Sequence, residues 1–431
     1  MDKRSFVPVD WSYSSNIYEV NVRQYTQSGT FNAFAEHLLR LREMGVEILW
    51  FMPITPIATE KRLGTLGSYY ACADYTSINP EFGTIDDFKN LITKAHALGF
   101  KIIIDWVANH TGYGHTWTKT NPDFYKKNVD GIWYDEHGWE DVIDLNYLNK
   151  EMRAAMIDAM HFWLRECDID GFRCDMAHLV PLDFWQEARL SLDAKKKLFW
   201  LAECEDPYYH EVFDASYGWK LLHKLEAYWR KETDIPGLDT LLSFYRENFP
   251  LNAFNLFFTS NHDENSHSGS EYERMGEAAK AFAVLTCTWN GMPLIYSGQE
   301  AANTKRIKFF DKDFIEWDNG VPLADFYKTL LDLHKSNPAL RAGTEPLQTI
   351  RISTDADNRL FGFQRKTGEA EVLVLLNLSS DYYWANITDN RVGGLFTNVF
   401  TKEPNDITEN RYFEMKPWDF YVYEKVVSCK F

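Results

Sequence analysis

The segment GFRCD at residues 171–175 places an arginine and an aspartate two positions apart in a short, otherwise apolar run. Side chains two positions apart in a β-strand point to the same side, so Arg173 and Asp175 are expected to face together. If that side is a protein interior, the two charges lose hydration at a cost of several kcal/mol per ion unless they are well paired. Two interpretations follow: a structural ion pair, or charged groups held ready for chemistry.

Three further strand-like segments also end in polar or charged side chains. They are Asp105, Asn109 and His110 in DWVANH, Glu203 in LAECE, and His262, Asp263 and Asn265 in TSNHDEN. In a barrel of parallel strands, the chemistry takes place at the carboxyl ends of the strands. Four carboxylates, two histidines and an arginine at one end of a barrel predict an active site rather than a set of isolated caps.

Three carboxylates at one barrel mouth match the needs of retaining glycoside hydrolysis. One carboxylate acts as nucleophile and a second as acid and base, about 5–5.5 Å apart across the glycosidic bond. A third can hold sugar hydroxyls and support positive charge in the transition state. An arginine beside the nucleophile lowers its pKa, so we expect Arg173 to keep Asp175 ionised.

The elements around these residues alternate between short β-rich runs and amphipathic helical stretches. Eight strands are predicted at 16–23, 46–54, 100–107, 169–175, 197–203, 211–216, 253–260 and 292–298. Helices are predicted at 31–45, 84–99, 150–167 and 326–340, with Thr84 and Asp87 forming a capping box. Eight such units predict an α/β fold of the TIM (β/α)8 type.

Two regions depart from this alternation. Residues 109–149 are rich in Gly, Asn, Asp, Trp and Tyr without a long period, which predicts a small subdomain inserted after strand 3. Residues 345–431 show alternating β patterns and predict an antiparallel β-sandwich as a C-terminal domain. The barrel is therefore assigned to residues 1–108 and 150–344.

Composition restricts the class of ligand. The 431 residues carry 45 basic and 63 acidic side chains, a net charge of −18, which argues against nucleic acid and anionic membranes as partners. A neutral ligand fits better, and the 30 Phe, 23 Tyr and 15 Trp residues offer flat faces for sugar rings. No apolar run is long enough to predict a membrane span.

Six cysteines show no metal-ligand spacing, which favours free thiols in a reducing compartment. The N-terminus shows no apolar signal segment. These features favour a cytoplasmic location, although a signal peptide removed from a secreted form would leave the same N-terminus. The oligomeric state is left open.

Seven segments together resemble the α-amylase family of glycoside hydrolases. DWVANH, GFRCDMAH, LAECE and TSNHDEN resemble its four conserved regions in the right order. LGSYYACADYTSINPEFGT, DVIDLNY and GMPLIYSGQE resemble supporting segments. The resemblance covers roughly residues 15–340 and, more loosely, the β domain.

The resemblance implies a role for each matching residue. Asp175 corresponds to the nucleophile, Glu203 to the general acid/base and Asp263 to the third carboxylate. The implied substrate-binding set is Tyr70 as a stacking aromatic, Asp105 as a structural carboxylate, Arg173 as the orienting arginine, and His110, His178 and His262. Trp133 and Trp139 are open to two interpretations, as cleft-lining platforms or as core residues.

The resemblance also implies a structural calcium ion as an option, while no cofactor is expected for the chemistry itself. Its ligands would be Asn109, Asp144 and the carbonyl oxygen of Leu179, and oxygen ligands of this kind suit a hard cation. The family often has Lys-His where this chain has His178 and Leu179. His178 could replace that lysine in a positive subsite or pack against the neighbouring loop.

Together these features predict a retaining hydrolase of α-glucosidic bonds in starch or maltodextrins, most simply at α-1,4 bonds. The same machinery supports transglycosylation or isomerisation if a sugar hydroxyl replaces water. A catalytically silent carbohydrate-binding protein is the remaining alternative, and the presence of all three carboxylates argues against it. Linkage and endo or exo action are left open.

Overall fold

A closed barrel of eight parallel strands forms the centre of the computed structural model, which describes residues 6–250, 252–343 and 348–425. The strands are β1 (Ile17–Val20), β2 (Ile48–Phe51), β3 (Lys101–Trp106), β4 (Gly171–Cys174), β5 (Phe199–Ala202), β6 (Ala215–Tyr217), β7 (Phe254–Phe257) and β8 (Met292–Tyr296). Each strand pairs with the next along the chain, and β1 pairs with β8 to close the barrel. The predicted (β/α)8 barrel is confirmed.

The sixth strand differs from its prediction at 211–216. Pro207–Glu211 forms a 3-10 helix that begins where the Asp206 side chain accepts a hydrogen bond from the amide of Tyr208. Val212 and Phe213, which gave the run its apolar character, are buried as loop residues ahead of the strand. The strand therefore begins only at Ala215.

Helices follow most of the strands and cover the outside of the barrel. The α-helices are Val22–Tyr25, Phe31–Ala35, Leu38–Glu43, Ile85–Ala97, Thr116–Thr120, Lys150–Cys167, Leu182–Asp193, Trp219–Trp229, Ile235–Asn248, Glu271–Met275, Ala279–Thr288 and Ala324–Ser336. The predicted capping box of Thr84 and Asp87 is confirmed. The predicted helix 31–45 is two short helices, and the last predicted helix ends at Ser336 because Pro338 starts a separate 3-10 turn.

The inserted segment begins where β3 ends. Its two ends are joined by an antiparallel pair, His110–Gly112 with Val142–Asp144, in which His110 lies opposite Asp144. This pairing returns the chain to the barrel mouth before the helix Lys150–Cys167. The segment therefore lies at the end of the barrel where the predicted site residues collect.

The C-terminal part is all β. A six-stranded antiparallel sheet contains Gln348–Ile352, Leu360–Thr367, Ala370–Asn377, Phe420–Lys425, Leu395–Asn398 and Pro404–Asp406, and a second sheet pairs Tyr383–Asn386 with Tyr412–Met415. Apolar residues from both sheets, including Leu375 and Phe413, form one core. The predicted boundary between residues 344 and 345 lies outside the described residues.

Close packing between neighbouring strands fixes one glycine. A Cβ atom on Gly171 would lie 2.1 Å from the carbonyl oxygen of Phe199 on β5, so only glycine fits there.

Five cysteines of the described chain are buried free thiols: Cys72, Cys167, Cys174, Cys204 and Cys287. Among the described residues, we find no helix with the length and apolar character needed to cross a membrane.

Candidate active site

A cavity of about 470 Å³ opens at the carboxyl ends of the barrel strands. Six of the predicted site residues line it: Tyr70, His110, Asp175, Glu203, His262 and Asp263. The inserted segment contributes the wall from Gly138 to Val142, and Phe310 and His267 lie on another part of the rim. The barrel and the insertion thus bring together predicted site residues that are up to 193 positions apart (Tyr70 to Asp263).

Arg173 lies fully buried beneath this cavity and pairs with three carboxylates. Its Nη1 atom lies 3.0 Å from Oδ1 of Asp105 and 3.0 Å from Oδ1 of Asp175. Its Nη2 atom lies 2.9 Å from Oε1 of Glu203, an ion pair without hydrogen-bond geometry. The buried charge is therefore well compensated, and the same contacts hold the predicted nucleophile and acid beside each other.

Two aromatic side chains, Trp50 and Tyr217, hold the guanidinium in place. The ring of Trp50 lies 4.9 Å from the guanidinium carbon, and that of Tyr217 lies 5.5 Å away. The Nε atom of Arg173 donates to the hydroxyl of Tyr217 at 3.2 Å, and the indole N–H of Trp50 donates to Asp105 at 3.2 Å. A planar cation between ring faces has few other positions to adopt.

Burial decides the protonation of the two central carboxylates. It raises the pKa of Asp175 to about 6, although Arg173 acts in the opposite direction. It raises the pKa of Glu203 to about 7, again against Arg173. Arg173 thus acts in the predicted direction but does not outweigh desolvation, and Glu203 keeps its proton to higher pH than Asp175.

A strained backbone residue adds a donor to the acid. Met176 has φ of 40° and ψ of 46°, the left-handed region that residues other than glycine rarely adopt. In this conformation its amide donates to Oε2 of Glu203 at 2.8 Å. The turn after β4 therefore fixes the orientation of the Glu203 carboxyl group.

His262 is held between two carboxylates and a tyrosine. Its Nδ1 atom contacts the carboxylate of Glu19 on β1, and its Nε2 atom lies 2.7 Å from the hydroxyl of Tyr70 and 3.3 Å from Oδ2 of Asp263. Burial would lower the pKa of His262, but Asp263 and Glu19 outweigh it and raise the pKa to about 9. His262 is therefore an imidazolium that donates from both nitrogens.

The second histidine has the opposite character. Burial lowers the pKa of His110 to about 4, so its imidazole is neutral near pH 7. The ring of Trp139 meets it edge-on at 5.2 Å, and Trp139 itself is 36% exposed and lines the cavity. Trp133 instead packs against Tyr125 and donates its indole N–H to Pro122. Of the two tryptophans, only Trp139 lines the cavity, whereas Trp133 is a packing residue.

The other predicted residues lie outside the cavity. Asp105 is buried below it beside Arg173, whereas His178 is exposed and its carbonyl accepts a hydrogen bond from Tyr209. Asn109 and Asp144 do contact each other, with Nδ2 of Asn109 donating to Oδ1 of Asp144 at 3.4 Å.

The residues at the predicted calcium position do not fit a calcium ion. The ammonium group of Lys126 lies 3.1 Å from Oδ2 of Asp144. The Asn109 contact points an N–H group at that carboxylate rather than an oxygen ligand at an ion. A cation of the protein already lies against the residue that was predicted to bind the metal.

Sequence reasoning missed three residues that position the site: Glu19, Trp50 and Tyr217. Glu19 had a detectable signal, because it is a lone charged residue in the apolar strand IYEV, as Arg173 is in GFRC. Trp50 and Tyr217 had none, because an aromatic residue in a buried strand is ordinary core composition.

The arrangement as a whole combines a protonated carboxyl group, a second carboxylate on the same guanidinium and a third carboxylate open to the cavity. The profile of the alpha amylase catalytic domain matches residues 12–140 and 124–345 of the chain. The chain belongs to the α-amylase family. The predicted membership is confirmed, and the family is one of glycoside hydrolases.

Individual relatives are distant. Alpha-amylase MalA of Haloarcula japonica is 26% identical over 406 residues, covering 88% of this chain and 57% of MalA. A cyclomaltodextrin glucanotransferase of Thermoanaerobacterium thermosulfurigenes is 26% identical over 407 residues, covering 83% of this chain and 56% of the relative. The chain thus spans a little over half the length of these two curated relatives.

Solved structures agree over the whole length. A crystal structure of an alpha-amylase from Lactobacillus plantarum superposes with a TM-score of 0.86 at 29% identity, covering 96% of this chain and 99% of that one. The barrel and the C-terminal β sheets together are therefore an arrangement that this alpha-amylase structure also has.

Proposed function

We propose that the protein is a retaining hydrolase of α-1,4-glucosidic bonds in maltodextrins, starch or related α-glucans. The observation that carries the proposal is the Arg173 guanidinium, which pairs with Asp175 and with Glu203 at the floor of one cavity. A shared guanidinium keeps two carboxylates close, which favours the retaining spacing of about 5–5.5 Å over the inverting spacing of about 6.5–9.5 Å.

Each residue has a defined part in the reaction. Glu203 donates its proton to the glycosidic oxygen while Asp175 attacks the anomeric carbon, which breaks the glycosidic bond and forms a covalent glycosyl-enzyme. Water then donates a proton to the Glu203 carboxylate and attacks the same carbon, which releases Asp175 and gives an α-configured product. Asp263, open to the cavity beside His262, binds sugar hydroxyls at the reacting subsite.

The electrostatics support these roles. Burial raises the pKa of Glu203 to about 7 and that of Asp175 only to about 6, so between these values the acid is mostly protonated and the nucleophile mostly ionised. A pair of carboxyl groups with separated pKa values is the pattern expected of an acid and a nucleophile. The neutral imidazole of His110 and the Trp139 ring offer a hydrogen-bonding and stacking surface for an uncharged sugar.

The test is a product time course on maltoheptaose, with Asp175→Asn and Glu203→Gln as variants. Hydrolysis predicts only shorter oligosaccharides, and proton NMR of the earliest products should show the α-anomer before mutarotation. Both variants should lose turnover by orders of magnitude. More than a tenth of wild-type activity in either variant, or β-anomeric product, would refute the mechanism.

Transglycosylation is the second candidate, because the similar proteins include a cyclomaltodextrin glucanotransferase. Products longer than maltoheptaose in the same time course would identify a transferase. A protein without turnover on maltoheptaose should next be given an α-1,6-linked glucan. Inactivity on both linkages would favour the alternative of a silent carbohydrate-binding protein.

A further inference from the structure

Asp144 is the most deeply buried charged residue of the inserted segment, with its side chain at 0% exposure. Both of its carboxylate oxygens already have donors. Oδ1 accepts from the side-chain amide of Asn109, and Oδ2 accepts from the Lys126 ammonium at 3.1 Å and from the amide of Glu136 at 3.3 Å. The carboxylate is satisfied by groups of the protein itself.

Lys126 is fixed in this position by the backbone. Its amide donates to the carbonyl oxygen of Asp144 at 2.9 Å, and the preceding Tyr125 forms an antiparallel bridge with Leu145. Its ammonium group lies 3.1 Å from Oε2 of Glu136 as well as from Asp144. The lysine side chain is 29% exposed, so the charge lies at the edge of the segment with its contacts directed inward.

We propose that the Lys126 ammonium group serves as a built-in cation in place of a structural divalent metal ion. It joins the strand that ends at Asp144 to the turn at Glu136, while Asn109 ties the same carboxylate to the end of the barrel. A divalent ion here would have to displace the ammonium group or lie against it at a cost in charge repulsion.

Asp144 also belongs to a set of side chains with the spacing of a metal site, and the Lys126 ammonium group already lies against that set. Glu136, His137 and Asp144 offer ligand atoms within 4.8 Å of one another, the spacing of a metal site. Lys126 pairs with two of the three, so its positive charge lies where an ion would gain its attraction. The inference rests on these contacts and not on the proposed reaction.

The position of the lysine connects it to the cavity wall. Residues 138–142 line the cavity and run directly into Asp144, and His110 lies opposite Asp144 in the strand pair. Holding Asp144 therefore helps to hold residues 138–142 and His110, two parts of the cavity lining. The segment should keep its shape when divalent ions are removed.

The experiment measures thermal unfolding of the full chain in EDTA and in millimolar calcium chloride. For the wild type we expect the same Tm in both buffers. Lys126→Met keeps most of the side-chain length but leaves the Asp144 carboxylate without its cation, so Tm should fall by about 5 °C or more in EDTA. Calcium should restore part of this loss, because the vacated position then offers the oxygens of Asp144 and Glu136.

Lys127→Met is the matched control. Lys127 is the next residue and pairs with Asp123, which is 84% exposed, so the loss of this surface ion pair should leave Tm within about 1 °C. If Lys126→Met does not fold, the double variant Lys126→Met/Asp144→Asn removes the unpaired charge and should fold again. Failure of that double variant to recover would count against the proposal.

Two results would overturn the proposal that Lys126 takes the place of a metal ion. One is a wild-type Tm that rises in calcium by an amount that Asp144→Asn abolishes, which would place a metal ion at this carboxylate. The other is a Lys126→Met variant with the Tm of the control in both buffers. A wild-type calcium effect that persists in Asp144→Asn would place the ion elsewhere and leave the assignment of Lys126 standing.

Discussion

Replacing Glu19 with glutamine tests whether buried charges set the protonation of His262. Glu19 contacts Nδ1 of His262, and it is one of two carboxylates that raise the histidine pKa from 6.5 to about 9. An opposite charge at contact distance shifts a pKa by about 1–3 units. Glutamine keeps the size and an acceptor oxygen, so in the variant we expect a pKa of about 6–8.

The effect on catalysis follows from the lost charge. At pH 8 the wild-type imidazole is mostly protonated, whereas half or more of the His262 imidazole in the variant is neutral. A hydrogen bond from His262 to the sugar is stronger when the imidazole is charged than when it is neutral. The difference is about 1–1.5 kcal/mol, which corresponds to roughly a tenfold change in rate. At pH 8, kcat/KM of Glu19→Gln should therefore fall to between roughly a half and a tenth of the wild-type value. The deficit should shrink at pH 5.5, where His262 is mostly protonated in both proteins.

Two assays check this reasoning. The ratio of kcat/KM between variant and wild type on maltoheptaose, measured from pH 5 to 9, removes the titration that both proteins share. NMR of protein with ¹⁵N-labelled histidine, with the His262 signal assigned by His262→Asn, reports the pKa directly. Glu166→Gln is the control, because it removes a carboxylate that pairs with Lys89 on the helical surface.

The charged and titratable groups that act on His262 include Glu19, Asp263, Asp105, Tyr70 and Arg173. Arg173 lowers the pKa of His262 while Glu19 and Asp263 raise it, so the direction expected of Glu19→Gln is downward. A wild-type His262 that titrates at or below pH 6.5 would refute the assignment of the imidazolium. A ratio that does not vary with pH would show that Glu19 acts through packing alone.

Three further outcomes are expected. Wild-type kcat/KM should rise with pH as Asp175 ionises near 6 and fall as Glu203 loses its proton near 7, giving a bell-shaped profile, and a flat profile from pH 4 to 9 would contradict these roles. Trp139→Ala should raise KM for maltoheptaose several-fold with a smaller effect on kcat, and an unchanged KM would remove Trp139 from the binding surface. Gly171→Ala would force a methyl group against the carbonyl of Phe199, so we expect little folded protein in a circular dichroism melt; a wild-type Tm would disprove the clash.

The positions of the site residues could be predicted wherever a strand carried its own signal. Arg173 and Asp175 share one face because strands have a period of two, and barrel closure then brings Glu203 and Asp263 to the same end. The prediction failed where a buried apolar run was not a strand, as at Val212. One inference from the residue types was wrong. Arg173 beside Asp175 suggests a low pKa for that carboxyl group, but burial outweighs Arg173 and raises the pKa.

Contacts across a non-periodic segment could not be predicted. Lys126 and Asp144 are 18 positions apart in a region without helical or strand period, so nothing in the sequence indicates that they meet. Glu19 and His262 are separated by 243 positions and meet only because β1 and β7 both flank β8 in the closed barrel. The Glu19–His262 contact thus depends on the closed geometry of the barrel rather than on any local sequence pattern.

The buried thiols give the fold an internal reporter of its own opening. Burial raises the pKa of Cys72, Cys167, Cys204 and Cys287 to about 12, so near neutral pH almost none is a reactive thiolate in the folded chain. An alkylating reagent can therefore modify these residues only when the packing around them opens. The modification rate at Cys204, one residue beyond Glu203, would measure how often the catalytic end of the barrel opens. The rate at Cys287 would measure how often the packing around the helix Ala279–Thr288 opens.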